Sequence, residues 1–189
     1  MNTVGIVLIV LLVLVVIVLL WGVATYNAFV RLRNLVQEAW RQIDVELHRR
    51  HDLIPNLVEA VKGYAAHERG VFDEVTQARA AASGAGVGPA AQAEQENVLS
   101  AALGRLFAVA ENYPVLRASE NFQQLQTELS TTEDRIAAGR RFYNANVRSL
   151  NTKVESFPAN VIANMFGFVR AEYFEVNDPE VRAAPQVRF

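Results

Sequence analysis

The sequence predicts an all-α protein, with an N-terminal transmembrane helix, a bundle of long helices and a short apolar C-terminal tail. Three observations carry that prediction. The chain opens on an uninterrupted apolar run; apolar residues then recur at steps of three and four; and proline or clustered glycine interrupts the pattern at only a few points. They divide the 189 residues into an anchor at 1–25, a helical domain at 26–156 with a flexible loop at 83–89, and an apolar tail at 157–189.

Val4 through Ala24 carry no charge and are nearly all Val, Leu or Ile, and the first charged side chain is Arg31. A helix of that length rises about 32 Å, which matches the roughly 30 Å of bilayer hydrocarbon. In lipid the backbone must satisfy itself, so even a β-branched run becomes helical there. Trp21 and Tyr26 stand where an interfacial aromatic belt belongs. A cleaved signal peptide would need a basic start, a shorter apolar core and a small-residue cleavage site, and this run has none of them. Only Met1, Asn2 and Thr3 precede the run, whereas Arg31, Arg33, Arg41, Arg49 and Arg50 follow it. The positive-inside rule therefore puts the N-terminus outside and the domain in the cytoplasm. Arg31 and Arg33 lie about 10 Å past the run, at the lipid headgroups.

Beyond the anchor, Phe29, Val36 and Ile43 form one seven-residue series and Trp40, Leu47 and Ile54 another, so 26–54 reads as an amphipathic helix. No breaker separates it from the anchor, and the two can form one rod. At Pro55 two arrangements fit: a new helix capped by Asp52 that takes the proline in its first turn, or a kinked continuous helix. Leu57, Val58, Val61, Ala65, Val71, Phe72 and Val75 continue the pattern to about Ala82. Three glycines and a proline in Ser83–Pro89 mark the loop. Pro89 suits the first turn of the next helix, which ends at Tyr113-Pro114. Ser119 is the predicted N-cap of the longest helix, whose stripe runs from Phe122 through Leu129, Ile136, Tyr143 and Leu150 to Phe157-Pro158. Five of the ten phenylalanines lie in 157–189, too many for a disordered tail. The tail is expected to form a short helix and an extended segment, with Phe157, Val161, Ile162, Met165, Phe166, Phe168 and Phe174 packing on the bundle or on a neighbouring subunit.

A net charge of -2 and the lack of interleaved basic and aromatic residues argue against nucleic acid. The absence of cysteine excludes disulfides, thiolate zinc sites and a cysteine nucleophile. His48 and His51 share a helix face, but His-Arg-Arg-His-Asp lacks the glutamate of a zinc hydrolase and its arginines repel a cation, so no metal is expected. Ser83–Gly88 lacks the lysine and the preceding strand of a phosphate loop. The densest charged cluster is Arg49, Arg50, His51, Asp52 and Glu59. It either fixes the register between helices, binds an acidic partner or forms a solvated polar face.

Several stretches resemble the LemA family of bacterial membrane proteins. They are Tyr26–Asn34, Ala39-Trp40, Ile43–Val45, and above all Arg49-Arg50-His51-Asp52-Leu53-Ile54-Pro55-Asn56-Leu57-Val58, followed by Lys62–Tyr64 and His67-Glu68. Further on they are Ala110–Pro114, Asn121–Gln126, Thr132-Glu133, Arg141–Asn144, Phe157-Pro158 and Phe166–Phe168. The resemblance implies a single anchor with its N-terminus out, an antiparallel bundle and a place in the bacterial inner membrane. Some members look involved in magnetosome membranes and others look linked to HtpX-type membrane metalloproteases. The expected function is a non-enzymatic, cofactor-free scaffold that self-associates on the bilayer. The rival is an accessory or signalling adaptor of another membrane protein, such as a metalloprotease.

Overall fold

The structure, a computed structural model, describes residues 2–84 and 88–175. The described residues form six α-helices: α1 (Thr3–Lys62), α2 (Arg69–Ala82), α3 (Pro89–Glu111), α4 (Pro114–Arg117), α5 (Glu120–Glu155) and α6 (Ala159–Phe166). The anchor and the first helix of the domain are one helix of 60 residues, which is longer than α5 and runs through Pro55. The sequence left both possibilities open at that proline; the chain continues as helix, and Asp52 is an exposed residue within it rather than a cap. No residue of the most apolar stretch of α1 is buried within the chain, as expected of a helix that meets lipid rather than a core.

The pattern read as helix from Leu57 to Ala82 is broken. The helix α1 stops at Lys62 and the chain turns through 63–68 before α2. Gly63 weakens the helix there, and the Tyr64 and Ala65 amides both donate to the Val61 carbonyl, at 3.0 and 2.9 Å. Ala65 stays buried in the turn, so the apolar rhythm persists in the sequence although the helix does not. Pro89 occupies the first turn of α3, as its missing N–H and fixed φ favour. The short α4 fills the interval between Tyr113-Pro114 and Ser119. Of the loop expected at 83–89, residues 85–87 lie outside the described residues.

Two compact units share α1 and α5. One comprises 1–39 with 143–171, the other 40–142 with 172–189. In the first, Phe29 is fully buried and stacks on Phe168, with ring centroids 4.9 Å apart. Tyr26 meets Phe166 and Phe168 edge-on, at 4.9 and 5.6 Å. Gly167 ends α6 in the left-handed conformation at φ 70°, and the Phe168 amide returns to the Ala163 carbonyl at 2.9 Å. The Asn151 side chain then clamps Ala171 by both backbone groups, at 2.9 and 2.8 Å.

In the second unit an apolar core joins Ile54, Leu57 and Val61 of α1 to Phe72 and Val75 of α2, Leu99, Leu103 and Leu106 of α3, Leu116 of α4, and Phe122 and Leu129 of α5. Burying each such side chain is worth about 1.5–3 kcal/mol. Gly139 lies where α5 passes α1: a Cβ there would stand 3.1 Å from Ile43 Cγ1.

Candidate functional site

The seven-residue series Phe29, Val36 and Ile43 reaches its next member at Arg50, so a guanidinium occupies a position of the buried stripe. Arg50 is 2% exposed, and so is Glu96 of α3, which lies in the stripe formed by Gln92, Leu99, Leu103 and Leu106. Charges in such positions require partners. Arg50 Nη1 donates to Glu96 Oε2 at 3.0 Å and Nη2 donates to Ser100 Oγ at 2.6 Å. Its Nε stands 2.8 Å from Glu133 Oε1 of α5, but the N–H is not aimed at that oxygen, so the contact is an ion pair without a hydrogen bond.

Glu96 is the hub. Its Oε1 accepts from His51 Nε2 at 2.9 Å and from Gln92 Nε2 at 2.9 Å. A carboxylate acceptor requires the hydrogen on Nε2 of His51, which leaves Nδ1 facing Ser83 Oγ at 3.2 Å. Gln92 also donates to the Ala82 carbonyl at 2.8 Å and so ties down the C-terminal end of α2. Glu133 is half-buried. Burial raises its carboxyl above the ordinary value; Arg50 opposes that shift, while Glu96 and Asp134 add to it.

Arg79 of α2 completes the arrangement. Proline at 55 has no N–H for the His51 carbonyl four residues earlier. Arg79 Nε donates to that carbonyl instead, at 2.7 Å. The stretch from Arg50 to Pro55 thus faces three other helices, with Arg50 toward α3 and α5, His51 toward α3, and the gap left by Pro55 toward α2. An open groove of about 370 Å³ runs beside it, between Arg50, Ser100, Phe107, Gln126 and Glu133.

The charged cluster expected from sequence divides. Arg50 and His51 point inward, whereas Arg49, Asp52 and Glu59 are exposed, and Glu59 pairs with Lys62 at 2.9 Å within α1. His48 is exposed and its Nδ1 lies 2.8 Å from the Asp44 carbonyl; His51 is engaged with Glu96. Among the described residues no three His, Asp or Glu side chains are placed to hold a metal. At the expected membrane interface, Trp21 is exposed, Tyr26 meets the tail aromatics, Arg31 is exposed, and the Arg33 guanidinium lies 5.4 Å from the Phe168 ring centre. The tail residues also divide. Phe168 and Phe174 are buried, the latter edge-on to Trp40 at 5.4 Å, and Ile162 is half-buried. Phe157, Val161, Met165 and Phe166 are exposed.

Sequence reasoning misses Glu96, Gln92, Ser100 and Arg79, and names Glu133 only within the Thr132-Glu133 stretch, with no role. The available signal was a charge within an apolar stripe: Arg50 one heptad after Ile43, and Glu96 three residues before Leu99. Nothing local identifies Arg79 as the donor that Pro55 makes necessary.

The sequence profile described as the LemA family matches residues 39–189. Magnetosome protein MamQ 2 of Paramagnetospirillum magneticum is 30% identical over 175 residues, covering 79% of this chain and 64% of that protein. Magnetosome protein MamQ of Magnetospirillum gryphiswaldense is 29% identical over 174 residues, with the same coverage. Protein LemA of Metamycoplasma hominis is 29% identical over 154 residues, covering 82% of this chain and 70% of that one. The chain therefore spans somewhat under two thirds of the length of the magnetosome relatives.

Proposed function

The chain belongs to the LemA family, and we propose that it is a membrane-anchored helical scaffold without enzymatic activity that self-associates at the cytoplasmic face of the bacterial inner membrane. The observation that carries this reading is how its densest ionisable cluster is used. Catalysis needs a nucleophile or base with a free lone pair facing a reactive atom. Here Glu96 accepts from Arg50, His51 and Gln92 at once, and all four side chains connect helices. Such a network makes one register of α1 against α3 far better than its neighbours, which suits a surface presented to other proteins. Self-association is supported by the anchor, which confines copies to a plane and raises their effective concentration. No residue of its most apolar stretch is buried by the rest of the chain. The arginines after the run orient the domain inward.

The open groove beside Arg50 favours one second reading, an adaptor that receives a segment of another membrane protein such as a metalloprotease. Light scattering of the full chain in mild detergent, with mass spectrometry of whatever co-purifies, separates the two. A homo-oligomer supports the scaffold. A monomer in stoichiometric complex with a different chain supports the adaptor, and a monomer alone refutes self-association.

A further inference from the structure

The segment from Phe157 to Val169 is thirteen residues without a charge. Its helix α6 buries Ala163, and on the opposite side it leaves a stripe in the open. Phe157 is 83% exposed, Val161 50% and Met165 69%, spaced four residues apart, and Val169 continues the exposed set at 74%. Val161 and Met165 on that side of α6, with Phe157 just before the helix and Val169 just after it, form an exposed apolar set that water does not suit.

Where that helix sits says what covers it. Ile162 Cδ1 lies 3.9 Å from the position a Cβ would take on Gly22, and Phe166 meets Tyr26. Gly22 and Tyr26 bracket the end of the apolar run of α1, the level at which a spanning helix leaves the hydrocarbon. The charged groups of the same unit collect around this level. Arg33 lies over Phe168, Lys153 lies 5.6 Å from the Phe29 ring centre, and Arg170 pairs with Glu155 at 3.0 Å. An open groove of about 550 Å³ there is lined by Trp21, Thr25, Arg148, Lys153 and Ser156. Basic and hydroxyl groups beside an apolar stripe form the pattern of an element lying in the headgroup layer.

We infer that α6 is an interfacial membrane helix, with Phe157, Val161, Met165 and Val169 immersed in the lipid of the leaflet that α1 leaves at Tyr26. The stripe continues the lipid-facing surface of the anchor. The protein then holds the bilayer at two places, a span and a helix in the plane, joined by the Tyr26, Phe29, Phe166 and Phe168 rings. A second copy of the chain is the competing occupant of the stripe.

The absence of native cysteine makes the test direct. Nitroxide labels are placed singly at Val161→Cys and Met165→Cys in the full chain, reconstituted in vesicles of phosphatidylethanolamine and phosphatidylglycerol. Val13→Cys serves as the reference inside the span and Gln37→Cys as the reference beyond it. Collision with oxygen, which concentrates in lipid, is compared with collision with a water-soluble nickel chelate. The expected result is an oxygen-to-chelate ratio at 161 and 165 several-fold above that at 37 and approaching that at 13. A ratio equal to that at 37 places the stripe in water and overturns the inference. Labels shielded from both reagents, with spin–spin broadening between copies, place it in a subunit contact and overturn it equally.

Discussion

Replacing Glu96 by alanine is expected to be among the most damaging single changes in the chain beyond its apolar run. Three donors lose their acceptor together: Arg50 Nη1, His51 Nε2 and Gln92 Nε2. Removing one partner of a buried ion pair costs about 3–5 kcal/mol, because the other charge remains without compensation. An unsatisfied neutral donor adds about 1–3 kcal/mol. Arg50 keeps Ser100 and the neighbouring Glu133, which offsets part of the loss. The net expectation is roughly 4 kcal/mol, against a total stability of about 5–15 kcal/mol for a domain of this kind. The assay is urea unfolding of the full chain in detergent, followed by far-ultraviolet circular dichroism at constant detergent. Coupling is read by adding Arg50→Met and Glu96→Leu singly and together. Because the damage of each single change is the charge left behind, the pair together should cost less than the sum of the two by at least about 1 kcal/mol. A loss below about 1 kcal/mol for Glu96→Ala, or strict additivity in the pair, would refute the account of Glu96 as hub.

Arg79→Met should cost about 1–3 kcal/mol by leaving the His51 carbonyl unpaired, and markedly less in a Pro55→Ala background, where the backbone N–H returns; equal costs in both backgrounds count against the substitution of Arg79 for a helix bond. Glu133 holds its proton more tightly folded than unfolded, so its contribution to stability is complete below its ordinary value of 4.5 and is lost as pH rises through the raised folded value. Glu133→Gln should therefore gain on the parent as pH increases from that value toward neutrality, as measured by thermal unfolding across pH; a difference that does not change with pH would contradict the burial of this carboxyl. Gly139→Leu should destabilise by about 1–3 kcal/mol, because its first carbon already meets Ile43, and unchanged thermal unfolding would show that α1 and α5 have room to part. An alkaline phosphatase fused after Phe189 should be inactive in intact cells, and strong activity would reverse the assigned orientation.

Much of this architecture was legible in the residues. An uncharged run of the length of Val4–Ala24 has one solution in lipid, and prolines at 89, 114 and 158 coincide with helix boundaries because a residue without an N–H cannot sit in a helix interior at no cost. Pro55 departs from that rule, and the reason is tertiary: Arg79, 28 residues beyond His51, supplies the donor that the His51 carbonyl lacks. Gly63 to Glu68 departs in the opposite sense, since Ala65 keeps the apolar rhythm while the backbone turns.

The site was half legible. Arg49 and Arg50 are chemically identical neighbours, and a helical step of about 100° sends one to solvent and the other inward. The sequence by itself determined which positions lie on a buried stripe, because periodicity is a property of one helix. It did not determine what covers that stripe. The carboxylate for Arg50 lies 46 residues on, the amide that clamps Ala171 lies 20 residues back, and Phe168 and Phe174 are buried while Phe157 and Met165 are not. Those outcomes depend on which helix faces bring their atoms within contact distance, and that is decided only when the helices pack against one another.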